Sequence, residues 1–269
     1  MIQPWHAMIL GIVEGLTEFL PVSSTGHLIL AGWLLHLHGE AVKTFEVVIQ
    51  AGSLLAVIGL YRPRLVSMWN GLCGHDAAGR RLLGALFISF LPAAVVGLRF
   101  HRVMTERLFG IGPVIGALAI GGVLMIGVDA WMRHQPASHR SLESMGWAEA
   151  LVIGAAQCAS LWPGTSRAMV TIVAALLLGF PATVAAEYSF LLALPTLGAA
   201  TVFDAAKGGR ALLAGSGGLS IVCGLATASI IAALAIRGFL AYLSRRGLAP
   251  FGWYRIGLAA LIWTVVPHS

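Results

Sequence analysis

The sequence predicts an all-α polytopic membrane protein. Of its 269 residues, 58% are hydrophobic and 10% are charged, and the mean hydropathy is +0.87. Soluble domains carry charge on about a quarter of their residues, so this composition is typical of a chain that lies mostly in lipid. The apolar stretches are long and do not alternate with polar residues. This pattern favours transmembrane helices over a β-barrel.

The formal net charge of +6 suits loops that face anionic lipid headgroups. Basic residues are not clustered between aromatic ones, so the sequence gives no reason to expect a nucleic-acid partner. The expected partners are membrane lipids. A homodimer is also compatible with such a chain.

The first two predicted helices, over about 5–20 and 24–36, meet at a polar break. Each is shorter than the ~20 residues that a membrane span needs. Pro21 ends the first helix because it lacks a backbone N–H and clashes with the preceding turn. Two short helices joined in this way predict a re-entrant hairpin. Its tip must be buried in protein or line a cavity, since lipid cannot satisfy irregular backbone.

Three spans follow, predicted over about 44–61, 82–99 and 113–132. Polar loops are expected between them, over 62–81 and 102–107. The polar stretch 133–146 then marks the midpoint of the chain, and three further spans are predicted over about 183–203, 219–240 and 252–267.

The second half repeats the first in outline. Gly154-Ala-Ala-Gln157 resembles Gly11-Ile-Val-Glu14, and Trp162–Arg167 falls where the first half has its polar break. Each half is therefore expected to contain a re-entrant helix pair plus three transmembrane helices, within a single membrane domain. Repeat one covers 1–135 and repeat two covers 145–269. Because three spans is an odd number, the repeats should have inverted topology, and their hairpin tips should meet near the midplane.

Arginines and lysines are more numerous on one side of this topology, which holds among others Arg62, Arg80 and Arg255. The positive-inside rule places that side in the cytoplasm. Both termini and the mouth of the first hairpin would then face outward.

Two carboxylates, Glu14 and Glu18, precede the first break and share one face of a helix because they lie four residues apart. Ionisable residues at membrane depth are costly and usually functional. Two carboxylates together with phosphate oxygens commonly hold a divalent cation, Mg²⁺ or Ca²⁺. Alternatively, the two glutamates serve as a general acid and a general base.

Ser24 and His27 lie three residues apart after the break, so the hydroxyl and the imidazole can meet on a helix. This pair predicts a nucleophile with its base, and Ser23 is the alternative nucleophile. The other interpretation is a serine that caps the helix and a structural histidine.

Arg167 lies in the second break without an acidic residue nearby in sequence. It predicts an anion clamp, because guanidinium donates two parallel hydrogen bonds to phosphate oxygens. The alternative is a buried ion pair with Glu14, Glu18 or Glu187. Two helix N-termini would add free N–H groups to a phosphate cradle. The predicted substrate-binding set is Ser23, Thr25, Gly26, Gly164, Thr165, Ser166 and Arg167.

Three stretches of the sequence resemble the bacterial undecaprenyl-diphosphate phosphatase family of the bacitracin-resistance type. They are Val13–His27, Lys43–Gln50 and Leu161–Arg167. The resemblance implies hydrolysis of undecaprenyl diphosphate to undecaprenyl phosphate and inorganic phosphate, which recycles the lipid carrier of cell-wall synthesis. It also implies an inner-membrane location, a divalent-cation dependence and a site that faces the periplasm.

The resemblance also implies roles for individual residues. The acidic pair of the family corresponds to Glu14 and Glu18, its serine, threonine and histidine to Ser24, Thr25 and His27, and its arginine motif to Ser166 and Arg167. The sequence departs from the family in one place: Ala168-Met169 stands where the family usually has Ser-Gly.

Two mechanisms fit the residues. Ser24, assisted by His27, attacks the terminal phosphorus, or water attacks directly with a glutamate as base. A different class of protein, a polyprenyl-phosphate flippase or transporter, also uses inverted repeats with helices broken at the midplane. The combination of nucleophile, base and arginine favours the phosphatase, because a carrier does not need it.

Overall fold

The computed structural model describes residues 2–107 and 110–266, and the secondary structure over these residues is helical. Short 3-10 turns at Leu142–Ser144 and Cys158–Leu161 separate some of the helices. In chain order the α-helices are α1 (Pro4–Thr17), α2 (Ser24–Leu34), α3 (Glu40–Leu60), α4 (Arg62–Leu72), α5 (Ala77–Arg107), α6 (Ile111–Met132), α7 (Trp147–Gln157), α8 (Arg167–Leu177), α9 (Ala182–Gly215), α10 (Gly218–Arg246) and α11 (Ala249–Val265).

Five of the described helices are long and apolar enough to cross a membrane, and the chain is a multi-pass membrane protein. The qualifying segments are Glu40–Leu60, Ala77–Phe100, Ile111–Met132, Ala182–Gly209 and Gly218–Arg246. They correspond to five of the six predicted spans. The sixth, α11, has 17 residues, which is somewhat shorter than a perpendicular crossing requires.

Two predicted loops are wrong, because both contain helix. Residues 62–72 form α4, which has Pro63 in its first turn, where the missing N–H costs nothing. The backbone of 102–107 continues α5 instead of forming a loop. Charged residues suggested loops at both places, yet neither Gly nor Pro interrupts residues 98–107.

A short connection joins α4 to α5 at Asp76. The Asp76 carboxylate accepts hydrogen bonds from Ser67 Oγ at 2.6 Å and from the Gly79 N–H at 3.0 Å. The Ser67 hydrogen bond, followed by those from the backbone, lowers the pKa of Asp76. The aspartate thus caps the N-terminus of α5 as a charged group.

The outer surface of the long helices is apolar. Large side chains such as Val202 and Leu98 are 72% and 70% exposed. Apolar exposure on this scale indicates a surface that contacts lipid rather than water. By contrast, α8 is buried along its length from Arg167 to Leu176, which makes it the central helix of the protein.

Small residues bring the short helices close to the long ones. In α1, a Cβ on Gly11 or Gly15 would lie 2.7 Å from the carbonyl oxygen of Gly224 or Ala228 in α10. In α7, a Cβ on Gly154 would lie 2.5 Å from the carbonyl oxygen of Ser89 in α5. In lipid there is no hydrophobic driving force between helices, so the van der Waals packing that such close approach allows stabilises their association. It fixes both short helices, and the breaks that follow them, against long ones.

Candidate active site

The two breaks end in the same unusual helix cap. Ser23 has φ 73° and ψ 100°, and Ser166 has φ 70° and ψ 114°. Each hydroxyl accepts a hydrogen bond from the N–H three residues later, Gly26 in α2 and Met169 in α8. A positive φ at a serine costs about 1–3 kcal/mol and is found mostly at functional sites. The two caps place Ser24 and Arg167 at the same position, the first residue of α2 and of α8.

One cavity of about 640 Å³ is lined by both breaks. Ser24 and Arg167 therefore share a single site, although they are far apart in sequence. The polar residues on its wall include Glu18, Ser23, Ser24, Thr25, Gln50, Ser166, Arg167 and Thr196. The wall also includes apolar residues of α5 and α9, such as Phe90, Ala94, Gly97, Leu98, Leu197 and Ala200, and the charged Asp204 and Lys207 of α9.

Glu18 connects the two breaks directly. Its Oε2 accepts a hydrogen bond from Ser24 Oγ at 2.7 Å, and its Oε1 lies 3.4 Å from Arg167 Nη2. Both Glu18 and Arg167 are buried, each 7% exposed. The ion pair considered as an alternative for Arg167 is therefore present, but it is long, and it belongs to the cavity wall.

Arg167 is held on its other side by α9. Its Nη1 donates to the Ser189 carbonyl oxygen at 2.8 Å and to Ser189 Oγ at 3.3 Å, and Ser189 Oγ in turn contacts Thr171 Oγ1 at 2.7 Å. The Nε of Arg167 is buried and has no hydrogen-bond partner among the described residues. Buried donors are almost always paired in proteins, so this unpaired N–H is a candidate donor to a bound anion.

The hydrogen bonds of the His27 ring do not go to Ser24. Its Nδ1 lies 2.7 Å from the Ser23 carbonyl oxygen, and its Nε2 lies 2.7 Å from the Tyr254 hydroxyl. Since a carbonyl can only accept, Nδ1 carries the proton in the neutral imidazole, and Nε2 accepts from Tyr254. The Ser24 hydroxyl donates instead to Glu18 Oε2.

Glu14 is completely buried, and neither of its carboxylate oxygens has a hydrogen-bond partner among the described residues. It interacts electrostatically with Glu18, Glu46 and Arg167, so it belongs to the same cluster of charges. An orphaned carboxylate of this kind fits a cation. The described residues contain no group of three or more His, Cys, Asp or Glu side chains suited to a metal ion. A cation here would need ligands from elsewhere, such as phosphate oxygens.

The other predicted binding residues divide into two sets. Thr25, Gly164 and Ser166 line the cavity. Gly26 and Thr165 do not, and they shape the breaks instead: a Cβ on Gly26 would lie 3.2 Å from Leu118, and the Thr165 N–H closes a turn onto Trp162.

Glu187 lies outside the site, as a structural residue. It accepts a hydrogen bond from Arg64 Nε at 2.8 Å, and Arg64 also pairs with Glu143.

Sequence reasoning missed three supporting residues: Ser189, Tyr254 and Arg255. Arg255, which the sequence assigned to a cytoplasmic side, is instead completely buried. The available signal was its position inside the apolar helix α11, since an arginine at membrane depth usually has a specific partner. Ser189 and Tyr254 gave no comparable signal.

Comparison with known proteins identifies relatives that match nearly the whole chain. The family model of the bacitracin resistance protein BacA matches residues 7–261. An undecaprenyl-diphosphatase of Sorangium cellulosum is 56% identical over 261 residues, which cover 96% of this chain and 85% of the relative. An undecaprenyl-diphosphatase 2 of Shewanella oneidensis is 39% identical over 259 residues, which cover 96% of this chain and 97% of the relative. This chain therefore belongs to the bacitracin resistance protein BacA family.

Proposed function

We propose that this protein is an integral-membrane phosphatase that hydrolyses undecaprenyl diphosphate to undecaprenyl phosphate and inorganic phosphate. Relatives that match nearly the whole chain carry the name undecaprenyl-diphosphatase. The observation that carries the proposal is the bridge from Ser24 through Glu18 to Arg167. It places a hydroxyl, a carboxylate that can take its proton, and a guanidinium at the wall of one cavity.

The cavity matches a substrate with a charged head and an apolar tail. Its polar end holds Arg167 and the N-termini of α2 and α8, which favour a diphosphate. Its apolar side, between α5 and α9, contacts side chains such as Phe90 and Leu197 and suits the first isoprene units. The rest of the prenyl tail would remain in lipid.

Phosphoryl transfer needs positioning and charge stabilisation more than covalent chemistry from the protein. Ser24 Oγ attacks the terminal phosphorus, and its proton passes to Glu18 Oε2. The bond between that phosphorus and the bridging oxygen breaks, and undecaprenyl phosphate leaves. Water then cleaves the phosphoserine and releases inorganic phosphate. In this scheme His27 holds the first break through Ser23 and does not act as the base for Ser24; direct attack by water with Glu18 as base is the alternative.

Glu14 and Glu18 are the residues that would hold a divalent cation, either Mg²⁺ or Ca²⁺, with Glu18 doing so as a carboxylate before it takes the Ser24 proton. The unpaired, buried oxygens of Glu14 support this assignment. When bound, the cation supplies positive charge against the diphosphate. Glu18 keeps the Ser24 hydroxyl aligned, and Arg167 binds the phosphoryl oxygens.

Two inverted repeats remain the best account of the architecture. The sequence of elements α1, α2, α3, α5, α6 parallels α7, α8, α9, α10, α11, and α4 is an insertion in the first half. Packing supports the same correspondence, because α1 contacts α10 and α7 contacts α5. The matching caps at Ser23 and Ser166 add a local correspondence. Under this arrangement α1–α2 and α7–α8 are re-entrant pairs within the single domain.

The bacterial inner membrane is the expected location, with the site open to the periplasm. The lipid substrate and the excess of basic residues on the opposite side support this orientation. The proposed site forms within one chain, so a homodimer would contain two such sites.

The test is phosphate release from undecaprenyl diphosphate by the purified protein in detergent with Mg²⁺ or Ca²⁺. Arg167→Ala should lower turnover at least about 100-fold, because it removes the charge that stabilises the transferred phosphoryl group. Exposed Arg62 offers a matched control, and Arg62→Ala should retain turnover. Absence of phosphate release by the wild-type protein with either cation would instead favour a flippase or transporter.

A further inference from the structure

Arg255 in α11 is the largest fully buried side chain among the described residues. No carboxylate forms a salt bridge with it within that part of the chain. Its guanidinium donates only to backbone carbonyl oxygens. They belong to Ala117 at 2.9 Å, Gly164 at 3.0 Å, Leu118 at 3.3 Å and Pro21 at 3.3 Å.

Two of these carbonyls occupy equivalent places in the two breaks. Pro21 lies three residues before Ser24, and Gly164 lies three residues before Arg167. Neither carbonyl belongs to a regular helix, so neither has an intrahelical donor. Leaving such groups unpaired at membrane depth would cost several kcal/mol each. Arg255 satisfies both with one planar group, whose donors have fixed geometry.

The remaining two carbonyls attach the same guanidinium to α6. Gly121 makes this possible, because a Cβ there would collide with the Arg255 guanidinium and lie 2.9 Å from Met169 Cε. The neighbouring Gly122 faces Gly252 of α11, and a Cβ on either glycine would lie 2.7 Å from the carbonyl oxygen of the other, so α6 and α11 are in close contact here. The space for Arg255 is therefore built into the helix pair.

We infer that Arg255 is a positioning residue, which holds the two breaks at the separation that lets Ser24, Glu18 and Arg167 act on one phosphate. This inference rests on the proposed phosphatase function. Arg255 does not line the cavity, so it acts through the backbone of the breaks and not on the substrate. A displacement of reacting groups by about 1 Å can lower a rate about 100-fold, which gives such a clamp a direct effect on turnover.

The experiment compares Arg255→Met, Arg255→Lys and Gly121→Ala with Gly116→Ala. Gly116 lies in the same helix, and a Cβ there meets no atom within 4 Å. Gly121→Ala should displace the guanidinium and leave all residues of the cavity unchanged. It also keeps the inference testable if Arg255→Met does not fold.

We expect kcat to fall at least about tenfold in Arg255→Met and Gly121→Ala, with a smaller change in KM. Arg255→Lys should recover part of kcat, since it restores a charged donor, and Gly116→Ala should match wild type. The same samples are measured by hydrogen–deuterium exchange. Peptides over 22–25 and 164–167 should both exchange faster in Gly121→Ala, whereas the α4–α5 connection should not change.

Unchanged exchange of the two breaks in Gly121→Ala, or an unchanged kcat in an active and folded Arg255→Met, would overturn the inference. A lower melting temperature with normal kcat would also overturn it, since that result describes a residue needed only for folding. Failure of the phosphatase function is a separate outcome. In that case the wild-type protein would release no phosphate. The exchange measurement would still decide whether Arg255 holds the two breaks in position.

Discussion

One carboxylate oxygen of Glu18 accepts a hydrogen bond from the Ser24 hydroxyl, and the other lies near the Arg167 guanidinium. A buried ion pair rarely adds net stability, because desolvation offsets the attraction between the charges. The 3.4 Å separation from Arg167 Nη2 and the unpaired Arg167 Nε are also poor geometry for a purely structural pair. Both features are expected of a site that completes its hydrogen bonds when an anion enters.

Ser24 and Ser23 can be separated experimentally, because the structure gives them different tasks. Ser23 caps α2 with its hydroxyl, so Ser23→Ala should lower stability by about 1 kcal/mol and retain most of the turnover. Ser24→Ala should lower turnover at least about 100-fold with little loss of stability. Mass spectrometry of acid-quenched reactions should find phosphate on Ser24. Turnover that survives in Ser24→Ala would assign the attack to water or to Ser23.

Glu14 provides a test of the cation. Glu14→Gln removes the negative charge at almost constant size, so we expect the Mg²⁺ concentration for half-maximal turnover to rise about tenfold or more. Phosphate release measured across a Mg²⁺ titration gives this value. Exposed Glu40 supplies the control, because Glu40→Gln should leave the titration unchanged. Full activity in the presence of excess chelator would contradict the assignment.

At the scale of helices, the positions of the two breaks were predictable from sequence. Pro21 and Pro163 mark them, since proline interrupts a helix, and hydroxyl residues follow each as caps. Helix α4 was not predictable in this way, because its arginines resemble those of a polar loop. Its helical state depends on packing against α5, which local composition does not reveal.

The contacts of the site depended on information that one sequence lacks. The proximity of Glu18 and Ser24 to Arg167 was predictable from the internal repeat, because inverted repeats bring the two breaks together near the midplane. The contact of His27 with Tyr254 joins residues 227 positions apart, and no spacing rule predicts it. The same is true of the four carbonyls that meet Arg255. Tertiary packing decides these contacts, and helical periodicity only limits which face is available.

The approach of α1 to α10 gives a prediction for a whole element. In Gly15→Ala the new Cβ would meet the Ala228 carbonyl oxygen at 2.7 Å and the Ala232 nitrogen at 2.9 Å, so the helices must separate. We expect a loss of about 1–3 kcal/mol of stability and a fall in turnover, because α1 carries Glu14 and Glu18 directly follows its last residue. Thermal unfolding in detergent and phosphate release measure the two effects.

Gly59 in α3 is the matched position, since a Cβ there meets nothing within 4 Å. Gly59→Ala should therefore leave both measurements unchanged. If Gly15→Ala behaved like Gly59→Ala, the close packing of α1 on α10 would not determine the position of the carboxylates.

At the scale of the whole molecule, the protein combines an apolar outer surface with a cavity of about 640 Å³ whose wall is polar at the two breaks. This arrangement suits a substrate that remains partly in the bilayer during the reaction. The apolar side of the cavity lies between α5 and α9, so these two helices should determine how the chain of the lipid is accommodated. The polar end, built from the breaks, should recognise the diphosphate whatever the length of the tail.

Filling the apolar side should therefore discriminate between substrates. Ala94 lines the cavity, whereas its neighbour Val95 is 62% exposed on the outer surface. Ala94→Phe should raise KM for undecaprenyl diphosphate about tenfold and change turnover of a short prenyl diphosphate much less. Val95→Phe should leave both unchanged. Equal loss on long and short substrates would show that the α5–α9 side does not hold the tail.

The central claim is that residues from two separate breaks form one catalytic site. A double-mutant cycle with Ser24→Ala, Arg167→Ala and the combined variant tests it most directly, with turnover of undecaprenyl diphosphate as the measurement. Residues that act as a unit are strongly non-additive, so we expect each single change to cost nearly as much as both together. Independent, multiplicative losses, or a single variant with wild-type turnover, would contradict a shared site.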